Sequence, residues 1–230
     1  MHISGLQKLT LLDFPGRVAC TVFTGGCNMR CPFCQNASLV LVDKDPQFMS
    51  EEKFFSFLDK RKGVLDGVAL TGGEPLLQKD LLPFIEKIKE KGYLVKLDTN
   101  GYSPDKLKAA IDAGLIDYVA MDVKNSKAKY GKTVGMDKFD IQRIEQSVDL
   151  LKQNVVDYEF RTTVVKELHE KEDFEEIGKW LQGAKRYFLQ CFSDAGDILV
   201  PGLSAHSKET LEEFKAILLP YVPNTELRGV

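Results

Sequence analysis

Short apolar runs alternate with amphipathic stretches along most of this chain. The runs at 18–23, 67–71, 94–98, 117–123, 158–165 and 187–192 have the length and composition of buried strands. Between them the apolar positions shift to helical spacing. A first helix starts at Ser50, a capping residue, with Glu51 and Glu52 where carboxylates suit the helix dipole. The next, 80–91, carries Leu81, Phe84, Ile85 and Ile88 on one side and stops at Gly92. Ser103 and Pro104 open a third, which ends near Gly114. Ile141, Ile144, Val148 and Leu151 mark a fourth, and Phe174, Ile177 and Trp180 a fifth. Leu211, Phe214, Ile217 and Leu218 share a side of the last, 207–219. Strands alternating with helices imply a parallel sheet with right-handed crossovers, so the fold class is α/β. The alternation alone does not separate a doubly wound sheet from an open barrel. Segments 125–139 and 193–206 remain as long irregular connections, and one domain accounts for the whole chain.

Composition narrows the function classes. With 28% charged residues, 43% hydrophobic residues and a formal net charge of -3, the chain is soluble, globular and without an electrostatic footprint for nucleic acid. No apolar run approaches the roughly 20 residues of a membrane span, and Met1-His2-Ile3-Ser4-Gly5 lacks a signal-peptide pattern. A cytoplasmic protein without a membrane partner is expected. Five cysteines, three of them crowded together, do not suit a secreted disulfide framework.

The crowded three are Cys27, Cys31 and Cys34, spaced C-x3-C-x2-C within Thr24-Gly25-Gly26-Cys27-Asn28-Met29-Arg30-Cys31-Pro32-Phe33-Cys34-Gln35-Asn36. A cubane 4Fe–4S cluster normally takes one thiolate per iron. Three thiolates with no fourth nearby point to a cluster whose last iron is open to a ligand that is not protein. Other unusual residues also fall at the carboxyl ends of strands, where parallel α/β folds keep their active sites. Thr71-Gly72-Gly73-Glu74-Pro75 follows the second run and Asp98-Thr99-Asn100-Gly101 the third. Asp122 and Lys124 close the fourth, and Gln190 and Cys191 lie near the end of the sixth.

The cysteine triplet with an aromatic before its last member, followed by Gly72-Gly73-Glu74-Pro75, resembles the radical S-adenosylmethionine (SAM) superfamily. Gly5-Leu6-Gln7-Lys8-Leu9-Thr10-Leu11-Leu12-Asp13-Phe14-Pro15-Gly16, with Asp98-Thr99-Asn100-Gly101 and Met121-Asp122-Val123-Lys124, is similar to glycyl-radical-enzyme activases, above all those of anaerobic (class III) ribonucleoside-triphosphate reductase. The resemblance implies a partial (β/α)6 barrel in a single domain 1–230, with a core of about 17–192 and a C-terminal helical tail, 193–230. It implies that Cys27, Cys31 and Cys34 hold three irons while SAM chelates the fourth. Phe33 and the backbone around Gln35 would read the adenine, and Gly72 and Gly73 would let the chain approach the methionine amino group. Glu74 and Pro75 would fix that turn. Asp98 and Thr99 would face the ribose and carboxylate, with Asp122 completing room for a bound monovalent cation. Lys124 would neutralise the SAM carboxylate, Arg161 would make an inward contact to SAM, and Gln190 would border the nucleoside. The implied reaction is reductive cleavage of SAM by an electron from a flavodoxin- or ferredoxin-type donor. The resulting 5′-deoxyadenosyl radical takes hydrogen from a glycine of the reductase, and no side chain need act as acid, base or nucleophile.

Simpler readings stand beside these. Zinc could take the three cysteines with His2, His169 or His206. The two glycine-bearing stretches could be plain turns. Asp122 and Lys124 could form a surface ion pair, and Arg161 could pair with Glu159. Cys20 and Cys191 read as buried hydrophobes. Lys124, Lys127, Lys129 and Lys132 could dock a partner or merely form a solvated face. Only Cys20 and Cys191 remain after the triplet, too few for a second four-thiolate cluster. Rival functions are activation of another glycyl-radical enzyme, small-molecule chemistry such as on a deazapurine precursor, and a non-catalytic iron–sulfur or zinc module.

Overall fold

The computed structural model describes residues 1–41, 48–194 and 196–230. All six expected strands form: β2 (Ala19–Thr24), β3 (Gly67–Gly72), β4 (Leu94–Thr99), β5 (Tyr118–Asp122), β6 (Asp157–Val164) and β7 (Tyr187–Cys191). Two further strands flank them, β1 (Ile3–Thr10) and β8 (Thr225–Arg228). Strand order follows chain order. β1 runs antiparallel to β2, while β2, β3 and β4 pair in parallel, as do β6, β7 and β8. The mostly parallel α/β class therefore stands.

The helices begin where the local chemistry sets them. A short turn, α1 (Ala37–Val40), follows the cysteines. In α2 (Glu51–Asp59) the Ser50 side chain accepts from the Lys53 amide, satisfying one of the unpaired first-turn donors. α3 (Leu81–Glu90) buries its expected stripe of Leu81, Phe84, Ile85 and Ile88. Ser103 sits at the cap of α4 (Pro104–Asp112) without a side-chain bond, so the fixed φ of Pro104 starts that helix. The 125–139 connection is not wholly irregular, since it contains α5 (Tyr130–Thr133). Asp140 caps α6 (Ile141–Lys152), Glu170 and Asp173 form a capping box on α7 (Lys171–Leu181), and Ser207 caps α8 (Lys208–Leu218).

The chain forms two compact units. The first comprises Met1–Asn28, Ser38–Thr99 and Ser103–Val119. Its core includes Phe54 stacked on Phe84, ring centres 5.3 Å apart, together with the buried apolar residues of β3 and β4. The second comprises Met29–Ala37, Asn100–Tyr102 and Ala120–Val230. There Phe174 stacks on Phe214 at 4.4 Å, and Tyr130, Tyr158, Phe160 and Tyr187 are fully buried. Each such ring contributes on the order of 2 kcal/mol through burial alone.

Candidate active site

In the first unit the exit of β3 is shaped by its glycines. Gly72 has φ +108, and a side chain there would meet the Thr24 backbone nitrogen at 2.5 Å. A Cβ on Gly73 would stand 2.1 Å from the carbonyl oxygen of Gly26, next to Cys27. The close approach lets Gly73 N–H donate to Thr24 O and Glu74 N–H donate to Gly26 O, both at 2.8 Å. The glycines thus seat the base of the cysteine loop directly on β3.

Glu74 is buried, and its carboxylate accepts from the Leu76 amide at 3.0 Å, capping the single 3-10 turn Pro75–Leu77. It also accepts from the Thr99 hydroxyl at 2.9 Å, joining the exits of β3 and β4. Asp98 pairs with Lys96, two residues back on the same face. Lys96 is only 2% exposed, a buried cation that the apolar look of Leu94–Leu97 concealed.

In the second unit Cys31 and Phe33 are buried and Cys34 is partly exposed. Main-chain bonds hold this loop: Arg30 N–H donates to Val134 O at 2.8 Å, Val200 N–H to Pro32 O at 3.0 Å, and Ala37 N–H to Asp197 O at 3.3 Å. Gln35 adds a side-chain tie, donating from Nε2 to Ser193 O at 2.6 Å. At the exit of β5, Asp122 takes Lys124 Nζ at 2.8 Å on one oxygen and Arg161 Nε at 3.0 Å on the other. Lys124 Nζ also lies 5.8 Å from the centre of the Phe33 ring. Burial opposes charge on Asp122, but attraction to Lys124 and Arg161 wins and brings its pKa down to about 2. Burial likewise opposes the Lys124 ammonium, and the carboxylate of Asp122 together with the nearby Cys31 sulfur overrides it, raising the pKa.

These placements bear on several of the simpler readings. The Asp122–Lys124 pair is no surface bridge, with side-chain exposures of 26% and 15%. Arg161 pairs with Asp122. Glu159 is held by Arg228, whose two guanidinium nitrogens reach its carboxylate at 2.7 and 3.0 Å while the guanidinium lies over Phe188. Gln190 is opposite Thr163 and Arg228 in the strand register, so these three share a face. Lys127 pairs with Glu145, and Lys129 with Glu170 and Asp173, which commits both cations to contacts within the unit. Cys20 is the buried hydrophobe expected, its thiol pushed up to about 12 by burial, but Cys191 is partly exposed.

The donor set fits an iron–sulfur cluster. None of the five cysteines, all of them described, is in a disulfide, and three share one short loop. Among the described residues no three His, Cys, Asp or Glu side chains are gathered as a site for a single metal ion. A cubane instead draws each thiolate to a separate iron. The three histidines read as possible zinc ligands make other contacts. His2 stacks on Phe48, His169 uses both ring nitrogens on backbone groups, and His206 bonds to His169 O. No helix among the described residues is long and apolar enough to cross a membrane.

Comparison with known proteins gives the family. The radical SAM superfamily profile matches residues 21–181. A provisionally named glycyl-radical enzyme activating enzyme of Methanocaldococcus jannaschii is 36% identical over 99% of this chain and 96% of its own. The pyruvate formate-lyase-activating enzyme of Clostridium pasteurianum is 31% identical, over 54% of this chain and 52% of its own length. Streptococcus suis SuiB, solved bound to S-adenosylmethionine, is only 15% identical but superimposes with a TM-score of 0.69 over 90% of this chain and 49% of SuiB, showing a common fold. This chain belongs to the radical SAM superfamily, in its family of glycyl-radical-enzyme activating enzymes. Its mostly parallel α/β fold is the one shared with the solved radical SAM neighbours, and a partial barrel is consistent with it.

Proposed function

We propose that the protein cleaves S-adenosylmethionine reductively and generates a glycyl radical on an anaerobic ribonucleoside-triphosphate reductase. The observation that carries this reading is Lys124, anchored by Asp122 and standing beside Phe33 of the cysteine loop. A cation so placed suits the carboxylate of SAM where the adenine of the same molecule meets Phe33. Cys27, Cys31 and Cys34 would hold the cluster, which when bound supplies the electron for SAM cleavage. Gly72 and Gly73 would receive the methionine amino group, with Glu74 fixing their turn. Asp98, Thr99 and Asp122 would line the ribose side and a monovalent cation. Arg161 keeps Asp122 ionised, and Gln35 and Gln190 would border the nucleoside. The domain would run through 1–230 with its core at about 17–192, in the cytoplasm, served by a flavodoxin- or ferredoxin-type donor.

Ribonucleotide reductase is favoured as target by the motifs at Gly5–Gly16 and Met121–Lys124, and by a cysteine count that leaves no second cluster. Pyruvate formate-lyase is the second reading, favoured by the Clostridium pasteurianum relative. Electron paramagnetic resonance on anaerobically reconstituted, reduced protein with SAM and each candidate enzyme separates them. A glycyl signal with the reductase is expected. A signal only with pyruvate formate-lyase moves the target, and SAM-dependent turnover of a small molecule with neither moves the class of substrate.

A further inference from the structure

Beyond the last sheet bond of β5, from Val123 N–H to Arg161 O at 2.8 Å, the chain is fastened residue by residue. The Lys124 carbonyl oxygen lies 2.9 Å from Nε2 of His169. The Asn125 amide donates to Thr133 Oγ1 at 2.9 Å and to Leu168 O at 3.0 Å. The Ser126 hydroxyl donates to Asp173 at 2.7 Å. His169 and Leu168 lie on the turn between β6 and α7, and the His169 side chain is fully buried.

The chemistry of the imidazole is fixed by its neighbours. Nδ1 lies 3.0 Å from the Val165 amide nitrogen and 3.2 Å from the Val165 carbonyl oxygen, and the shorter contact makes it the acceptor of the Val165 N–H. A carbonyl can only accept, so the ring proton sits on Nε2 and is donated to Lys124 O. Burial lowers the pKa of His169 and keeps the ring neutral, as this arrangement requires. His206 Nε2 in turn bonds the His169 carbonyl at 3.0 Å and steadies its backbone. A lysine ammonium on a flexible four-carbon stem has little geometric definition of its own. Its position is only as definite as the backbone from which it springs.

We propose that His169 is a positioning residue for SAM: by donating from Nε2 to the Lys124 carbonyl, it fixes the origin of the ammonium that meets the SAM carboxylate. This inference rests on the SAM-binding function proposed above.

Two substitutions isolate the bond. In His169→Asn the short amide can replace Nδ1 as acceptor for Val165 but falls short of Lys124. In His169→Gln the longer amide carries an N–H to where Nε2 stood. The full chain, anaerobically reconstituted and reduced, is titrated with SAM while the resonance spectrum of the reduced cluster reports binding. His169→Asn is expected to raise the apparent Kd about tenfold, the scale of one lost hydrogen bond, and His169→Gln to stay within about threefold of wild type. In a Lys124→Met background the Asn substitution should add less than about twofold. Equal affinities for the Asn and Gln variants, or a full loss persisting without Lys124, would overturn the proposal. Hydrogen exchange without SAM, read on peptides covering 122–126, should quicken in the Asn variant and not in the Gln variant. Unchanged protection in the Asn variant also overturns it. Should the wild-type spectrum not respond to SAM, the proposed function fails, and exchange still decides whether His169 holds this segment.

Discussion

The exit of β3 owes its shape to two missing side chains, at Gly72 and Gly73, whereas the exit of β5 owes its shape to largely buried charges on Asp122, Lys124 and Arg161. At β3, main chain packs on main chain within 3 Å of where a Cβ would stand, and any added atom collides with something that cannot rotate away. At β5, each group tolerates burial because its partners are present, and its position depends on all of them. The first corner is rigid by exclusion. The second is definite by mutual attraction, and therefore responds to pH and to the removal of single partners.

Three measurements sharpen that contrast. The largest effect is expected ahead of both corners in sequence, at Cys31→Ala. Iron content after reconstitution and 5′-deoxyadenosine formation should both collapse, the latter by at least about a hundredfold for loss of a cluster ligand, while circular dichroism stays native. Retained SAM cleavage would remove Cys31 from the ligand set. Next, Gly73→Val places methyls where the Gly26 carbonyl lies and should cost ~3 kcal/mol in thermal or denaturant unfolding, with poorer iron loading and weaker SAM binding. Wild-type-like stability and SAM affinity would show that the β3 corner can yield after all.

The smallest effect is a pH dependence at the β5 corner. Asp122 has its pKa depressed from an ordinary value near 3.8 to about 2. Its contribution to stability is complete above the unfolded-state value and is lost as pH falls through the window from about 4 to about 2, amounting to roughly 2 kcal/mol. Asp122→Asn should flatten that part of the stability curve in urea titrations at stepped pH. A variant curve parallel to wild type would mean that the pair is not set by charge.

Features fixed by neighbours in sequence were legible, and features fixed by distant partners were not. Strands β2 to β7 announce themselves as apolar runs, and the cysteine triplet and Gly72-Gly73-Glu74-Pro75 carry their chemistry within a few residues. Asp122 and Lys124 were readable as a pair because i and i+2 share a face of extended chain. Arg161 bonds Asp122, 39 residues away, and Glu159 bonds Arg228, 69 residues away, contacts that proximity in sequence did not suggest. β1 was missed because much of it is exposed and its apolar pattern is diluted, and β8 because Thr225-Glu226-Leu227-Arg228 is short and polar. Lys96 was hidden for the opposite reason, a charge inside an otherwise apolar strand. His169 offered only a lone histidine, and its role needs the backbone of two other segments.

The cysteine loop is moored to the stretch 193–200 mainly through peptide groups: Val200 N–H to Pro32 O, Ala37 N–H to Asp197 O, and the Gln35 amide to Ser193 O. In these three bonds Ser193 and Asp197 offer carbonyls, which every residue type supplies, and Val200 an N–H, which all but proline supply. Exchanging the side chain of Ser193 or Val200 therefore leaves these bonds in place, so the mooring tolerates a change of surface at those two positions.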